Sequence, residues 1–574
     1  MTFFTTGNNS IDSLVYSSWA SSPGYAVSLR YSFMTAAPSD GSADDVNGFV
    51  PMSSVQKQAV RAELATWSAV ANIKFAEVFA GGDIQLGTND QGNQSSAYAY
   101  LPNGGDPTYL FTNNTANFNT VFTPGSYGPA VLIHELGHAL GLKHPGNYNS
   151  TGGDVDGPFL PAATDNLDYS QMSYNDSSGY QLDHKYGITP ALYDIQAMQY
   201  LYGANMTYHT GNDSYNFVQG SPEQCIWDAG GSDTFNFSGC TDAVTINLNA
   251  GSFSSTAPGY NNISIAYNVT IERAVAGSGG STIYANNGGD WITAGAGVDI
   301  IHEGAGNDAI YGSGGNDVVV FSGPFSNYLL SGNANVLTVK GDGTDMLFDV
   351  KTLQFSDRTI DVTSIARFAG GGAGNDVLVA GAGDEVFSGG AGVDSVSYSG
   401  ARSNYTVVAS GGEFIVTDNA GAGGQDILTG VERLSFTTGE GLALDIGDHA
   451  PAGEAYRLYQ AAFNRVPDLG GLGFWIRALD AGVSLVSVAQ DFLNSAEFVK
   501  ANGTNLSDEQ FVDLMYHNIL HREPDAGGAA FYLNALHAGG PRASVLSSIS
   551  ESIENQIGVV GSITNGIEYH IAIG

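Results

Sequence analysis

The sequence predicts a multidomain α+β chain: a mixed α/β region, a parallel β-roll with strand-rich modules, and a C-terminal all-α region. Three observations predict it. Residues 1–205 mix helical and strand-like periodicities; from about 206 the texture turns to glycine, aspartate and short β-prone triplets; from about 449 a helical pattern returns and repeats itself. At 574 residues the chain is too long for one core, and 43% hydrophobic residues suffice for packed domains. The boundaries read as 1–205, 206–323, 324–365, 366–400, 401–448 and 449–574.

In the first region, Ser53 and Gln56 have capping-box spacing ahead of Val60, Leu64 and Trp67 at helical intervals. Strand-like segments follow at 73–78, 83–87 and 97–102, and helical runs cover 129–142 and 189–203.

In the second, Asp290, Asp299, Asp308 and Asp317 stand nine apart, in step with Ile283, Ile292, Ile301, Ile310 and Val319. A further set has Asp376, Glu385 and Asp394, with Leu378, Phe387 and Val396. In such nonapeptides six residues make a glycine-rich turn and three a strand whose middle residue points inward. Two repeats form one coil, so turns 18 residues apart stack and cations sit between them. The expected pairs are Asp290 with Asp308, Asp299 with Asp317, and Asp376 with Asp394. Oxygen-only ligands, many of them backbone carbonyls, suit calcium. Ser281 and Asp384-Glu385 depart from the pattern, and weak or empty positions are expected there.

Behind each array lies a strand-rich module. Asp345, Leu347, Val350, Leu353 and Phe355 recur, offset by 81, as Asp426, Leu428, Val431, Leu434 and Phe436. In the third region 459–482 recurs as 516–539, offset by 57, and each copy reads as a helix, a Pro-Asp-x-Gly-Gly turn and a helix. The aromatic pairs Phe474-Trp475 and Phe531-Tyr532 are expected in the core.

The balance of 19 basic against 57 acidic residues, a net charge of −38, repels nucleic acid and fits carboxylates that hold cations. No apolar run is long enough to predict a membrane-spanning helix. The N-terminus lacks the basic-then-apolar pattern of a Sec-type signal. Cys225 and Cys240 either pair across the intervening loop or remain two small buried thiols.

The chemistry concentrates at HELGHALGLKH. On a helix His134 and His138 share a face and can bite one metal, with Glu135 beside them. Gly141 lets the chain turn so that His144 returns as a third imidazole. Three neutral nitrogens with an open fourth position describe a catalytic zinc ion, which polarises a carbonyl and activates water, with Glu135 as general base. The strain of Gly137 inside the helix fits a helix that packs closely at a site.

That segment is similar to the extended H-E-x-x-H-x-x-G-x-x-H pattern of the metzincin proteases. YSQMSY at 169–174 looks like their methionine turn. The resemblance implies that Met172 floors the zinc site and that Tyr174 is a tyrosine that swings on and off the metal and stabilises the tetrahedral intermediate. Residues from about 12 to 322 resemble the serralysins, which implies a protease domain followed by a calcium-loaded (RTX) roll. By the same resemblance, calcium ligands map to the carbonyls of His209 and Gly211, to Asp213, Asp228, Gly230, Gly231 and Asp233, and to Thr270 and Glu272. It also implies export by a type I secretion system reading a C-terminal signal, loosely matched by EYHIAIG, and folding on extracellular calcium. The helical tail resembles a domain of unknown function of bacterial secreted and surface-layer-associated proteins, and the roles expected for it are surface attachment, with a bacterial surface component as partner, substrate targeting or export. The expected function is a secreted endopeptidase acting on protein substrates. The competing one is a surface adhesin or S-layer-associated protein with an accessory protease domain.

Overall fold

The computed structural model describes residues 5–148 and 156–571. The chain forms two compact units, residues 1–322 with 349–354 and residues 323–348 with 355–574. The last three residues of EYHIAIG lie outside the described residues.

The first unit begins with a five-stranded sheet in the order Ile73–Glu77, Val27–Phe33, Ile84–Asn89, Thr108–Asn113, Ala97–Ala99. Only the edge strand Ala97–Ala99 runs antiparallel to its neighbour. Val27–Phe33 and Thr108–Asn113 carry no sequence expectation because consecutive residues at their ends are buried on both faces. A strand covered on two sides loses the alternation that identifies a strand with one wet face.

The helix Ser54–Val70 starts at the capping box of Ser53 and Gln56, with both reciprocal bonds formed, and buries Val60, Leu64 and Trp67. The helix Tyr127–Ala139 carries the histidines. It stops where Gly141 adopts φ +111°; a Cβ there would lie 2.0 Å from the carbonyl oxygen of Ser17. The helix Leu192–Tyr202 completes the layer.

The rest of the unit is a roll of parallel strands. Arg273–Val275, Trp291–Thr293 and Ala309–Tyr311 stack on one side, and Ser281–Tyr284, Ile300–His302 and Val318–Val320 on the other. Each rung is 18 residues from the next. Ile283, Ile292, Ile301, Ile310 and Val319, the middle residues of their strands, are all 0% exposed. Thr352–Gln354 adds a further rung beyond Val318–Val320. Cys225 and Cys240 are both free and buried.

In the second unit, Arg367–Ala373 and Glu385–Ala391 stack in parallel, as do Val377–Val379 and Ser395–Ser397. Gln425–Thr429 and Arg433–Ser435 continue those two stacks. The repeated residues of the duplicated modules are buried in both copies: Asp345, Leu347, Val350, Leu353 and Phe355, and their counterparts 81 positions on.

Two expectations for the tail need correction. The region is not wholly helical, because Ile567–His570 forms a strand antiparallel to Glu440–Ala443. Ile567 and Tyr569 are buried and alternate with exposed neighbours, a two-residue period that a helix cannot use. Nor do both aromatics of each pair enter the core. Trp475 and Tyr532 pack against it, whereas Phe474 and Phe531 are 52% and 67% exposed. Adjacent helical residues point about 100° apart, so one face of the helix holds only one of them. The turn between the helices behaves as read: Asp468 and Asp525 cap the second helix of each copy by accepting from the amides of Gly471 and Gly528.

Candidate active site and metal centres

The helix Tyr127–Ala139 and the turn after it bring three imidazoles together. His144 Nε2 lies 3.2 Å from His134 Nε2 and 3.1 Å from His138 Nε2. The corners of a tetrahedron with arms of about 2.0–2.1 Å stand roughly 3.3 Å apart, so a zinc ion fits this spacing. Each ring is also held from behind by a backbone carbonyl at Nδ1: Gln171 for His134 at 2.8 Å, Leu142 for His138 at 2.8 Å, and Tyr148 for His144 at 3.1 Å. Donation from Nδ1 leaves the Nε2 lone pairs converging on one point. Burial holds the rings neutral, with the pKa of His134 lowered to about 4 and that of His144 to about 3. His138 is lowered well below the usual value by burial and by the other two rings.

Glu135 is 6% exposed, and its Oε2 is buried without a hydrogen-bond partner. Burial pushes its pKa up to about 8, against a backbone hydrogen bond from Ala99. It stands at a cleft of about 700 Å³ whose walls include Phe118, Tyr127, Val131, Tyr174 and Tyr186.

Met172 is fully buried under the helix. A Cβ at Gly137 would come within 2.5 Å of the Met172 sulfur, so a side chain at Gly137 would push the helix off Met172. Tyr174 is half-exposed; its ring lies 4.4 Å from that of His144 and stacks at 4.9 Å on Tyr148. Burial, then the charge of Glu135, pushes its hydroxyl up to about 12.

Asp194 carried no sequence expectation. It is fully buried at the start of the helix Leu192–Tyr202 and accepts from Ser170 Oγ at 2.6 Å, from the Gln171 amide at 2.7 Å and from the Ala191 amide at 2.9 Å. It thereby fixes Gln171, whose carbonyl orients His134. Its only signal in the sequence was an acidic residue in the first helical turn after TPAL. Tyr148 was also missed; its carbonyl orients His144, and its hydroxyl donates to Asp165 at 2.5 Å.

In the roll of the first unit the aspartates pair at the expected distance along the chain. The amide of Asp290 donates to Asp308 Oδ1 at 2.7 Å, and that of Asp299 to Asp317 Oδ1 at 2.9 Å. The amide of Asp213 donates to Asp233 Oδ1 at 2.8 Å, and that of Asp233 to Glu272 Oε2 at 2.7 Å. Thr270, two residues before Glu272, is exposed. Gly230 has φ +136°, and a Cβ at Gly231 would sit 1.8 Å from the Gly211 carbonyl oxygen, so the turns stack backbone to backbone. Burial raises the pKa of Asp290 to about 8 and that of Asp233 to about 6, with neighbouring carboxylates adding to both. Oδ2 of Asp233 and of Asp317 are buried without partners, which fits a cation. His209, expected to act through its carbonyl, also brings its imidazole 3.2 Å from Asp213 Oδ2, in a group with Asp228. In the second unit the Asp376 amide donates to Asp394 Oδ1 at 2.8 Å.

Residues 191–441 match a family model described as Peptidase M10 serralysin C terminal, and residues 489–558 one described as a domain of unknown function, DUF4214. Metalloprotease AprA of Pseudomonas entomophila (strain L48) is 37% identical over 287 residues, 45% of this chain and 59% of the relative. Serralysin of Proteus mirabilis is 40% identical over 271 residues, 40% of this chain and 54% of the relative. Serralysin C of Dickeya chrysanthemi is 37% identical over 283 residues, 45% and 58%. The chain thus spans a little over half the length of these relatives. The carboxylate ladder of residues 213–317 falls within the matched region, and there the chain is similar to the serralysins.

Proposed function

We propose that the chain is a secreted zinc-dependent endopeptidase that hydrolyses protein substrates and folds on extracellular calcium. The observation that carries this reading is the convergence of three neutral Nε2 atoms beside the buried, partnerless Oε2 of Glu135 at a cleft. Bound zinc would polarise the scissile carbonyl and bring the pKa of water toward neutrality. His134, His138 and His144 would hold it and leave a position open to the cleft. Glu135 takes the proton of the attacking water and passes it to the leaving nitrogen. Tyr174 donates its hydroxyl to the developing oxyanion, and its half-exposed ring leaves it room to approach and withdraw. Met172 supports the helix from beneath.

Calcium would be held by Asp213, Asp228, Asp233, Glu272, Asp290, Asp299, Asp308 and Asp317 in the first unit and by Asp376 and Asp394 in the second, with turn carbonyls offering further oxygen ligands. The net charge of −38 fits a chain that stays unfolded where calcium is scarce, leaves by a type I secretion apparatus, and folds outside. Residues 449–574 are read as the contact with a bacterial surface component.

The test is casein hydrolysis by the calcium-folded chain. Cleavage blocked by a zinc chelator and lost in Glu135→Ala supports the reading. An inactive wild type with one zinc bound per chain overturns it.

A further inference from the structure

The two edges of the second roll are built from different parts. On one edge stand Asp376, Asp394 and Glu432. The amide of Asp376 donates to Asp394 Oδ1 at 2.8 Å, and the amide of Asp394 donates to Glu432 Oε2 at 2.7 Å. This repeats the bond between Asp233 and Glu272 in the first unit, also 2.7 Å. Asp394 is 0% exposed and its Oδ2 has no partner. A Cβ at Gly389 would lie 1.8 Å from the Gly430 carbonyl oxygen and 2.7 Å from Asp394 Oδ2. A comparable arrangement recurs at Gly312, where a Cβ would lie 2.7 Å from the Asp349 carbonyl oxygen and 3.1 Å from Asp317 Oδ2, likewise partnerless. A buried carboxylate oxygen facing backbone carbonyls without a donor is unfavourable unless a cation lies between them.

On the other edge stand Arg367, Glu385 and Asp426, joined in the same parallel register. Glu385 and Asp426 are each 2% exposed, nearly as deeply buried as Asp394 opposite. Here every carboxylate oxygen has a donor. Glu385 Oε2 accepts from the Gly381 amide at 2.6 Å and Oε1 from Arg367 Nε at 2.7 Å. Asp426 Oδ1 accepts from the Glu385 amide at 3.0 Å, and Oδ2 from the Tyr398 hydroxyl at 3.0 Å. The Arg367 guanidinium also donates to the Val379 carbonyl, and it lies over the Phe387 ring at 5.7 Å. Arg367 precedes Asp376 by nine residues, so it occupies the repeat position that carries the carboxylate elsewhere. In the first array the position nine before Asp290 is Ser281, which supplies no charge.

We propose that the Arg367 guanidinium is a resident cation that replaces calcium on this edge, so that the second roll binds divalent metal on the Asp376–Asp394–Glu432 edge only. One fixed positive charge that donates to both a carboxylate and a backbone carbonyl at the end of a strand does the neutralising work of the ion. The longer arm of Glu385, where aspartate is the rule, spans the distance to a side chain instead of to a central ion. This edge then stays closed in calcium-free solution and gives the other a fixed surface on which to form.

The inference rests on the calcium reading of the rolls, and the experiment separates the two. Wild-type chain and Arg367→Ser are equilibrated with calcium and the bound metal is counted. The variant recreates the first array's uncharged position, and it is expected to bind one more calcium per chain than the wild type. An unchanged count overturns the proposal, and no calcium in either protein overturns the underlying reading. A second measurement needs no variant: anomalous scattering from terbium-soaked wild-type crystals. A peak between Asp394 and Glu432 and none between Glu385 and Asp426 is expected. A peak at Glu385 and Asp426 overturns the proposal.

Discussion

In the histidine centre each donor is held from behind: the carbonyls of Gln171, Leu142 and Tyr148 take the Nδ1 protons, and burial keeps the rings neutral. In the roll of the first unit the donors are carboxylates pressed together by backbone stacking, with Asp290 and Asp308, or Asp299 and Asp317, joined through a single amide. The first centre is arranged by hydrogen bonds whose partners are backbone carbonyls rather than an ion. The second accumulates buried negative charge that only protons or cations relieve. Zinc is therefore expected to be a passenger of a finished fold and calcium a part of the fold itself.

The largest effect that could break this contrast is loss of calcium. Chelating it is expected to unfold the roll, read from the fluorescence of buried Trp227, whereas removing zinc with a selective chelator is expected to leave that signal unchanged. Acid should substitute for calcium. The folded pKa of Asp290, raised from 3.8 to about 8, means that the folded state holds more protons than the unfolded one. This contribution is full below about pH 4 and is lost as pH rises through 8, with Asp233 losing its share near 6. The calcium-free roll is thus expected to refold as pH falls from 8 toward 5. A calcium-free roll equally folded at pH 8 and pH 5 would break the comparison.

The next effect concerns chemistry rather than folding. Glu135→Gln keeps the shape of the side chain but removes the base, and it is expected to lower kcat by about 10³-fold. Thermal unfolding and zinc content should stay at wild-type values, because the amide needs less desolvation than a carboxylate in this site. A Tm falling by many degrees would mean that Glu135 supports the fold and that the rate loss is indirect.

The reach of sequence reading follows the same divide. The pairs 290/308, 299/317 and 376/394 were legible because the roll converts a fixed spacing along the chain directly into a contact between rungs. The histidine helix was legible because one and four residues along a helix define a face. Asp194 was not, because its role is to tie residues 170–171 to a helix more than 20 positions later, and no local spacing encodes that link. Val27–Phe33 was hidden by burial on both faces. Glu385 was visible as a departure from the repeat, but its meaning needed Arg367 across the register. Phe474 and Phe531 show the limit from the other side, since composition identifies an aromatic pair without saying which ring faces inward.

A smaller effect tests how firmly the histidine centre is held. Asp194→Ala removes three hydrogen bonds from a fully buried carboxylate and leaves the Gln171 and Ala191 amides and the Ser170 hydroxyl unpaired. A cost of ~2–4 kcal/mol in unfolding free energy is expected. Because Gln171 orients His134, zinc affinity should fall as well, by about 10-fold or more. Asp194→Asn, which keeps part of the acceptor set, should recover part of both. Zinc affinity at the wild-type level in a destabilised Asp194→Ala would show that the centre does not depend on its surroundings as argued above.

The smallest effect belongs to Tyr174. Its ring packs on His144 and Tyr148, but it is 49% exposed and its hydroxyl has a raised pKa, about 12, so it remains a donor throughout the working range. A donor that reaches the reacting carbonyl only as charge develops lowers the barrier without tightening substrate binding. Tyr174→Phe keeps the stacking and deletes only the hydroxyl. It is expected to reduce kcat by about 10–100-fold, with KM, zinc content and Tm unchanged. If KM rises while kcat holds, Tyr174 contacts the ground-state substrate as a wall of the cleft. The chemistry then falls to Glu135 alone, and the hydrogen-bonded centre would need no mobile part.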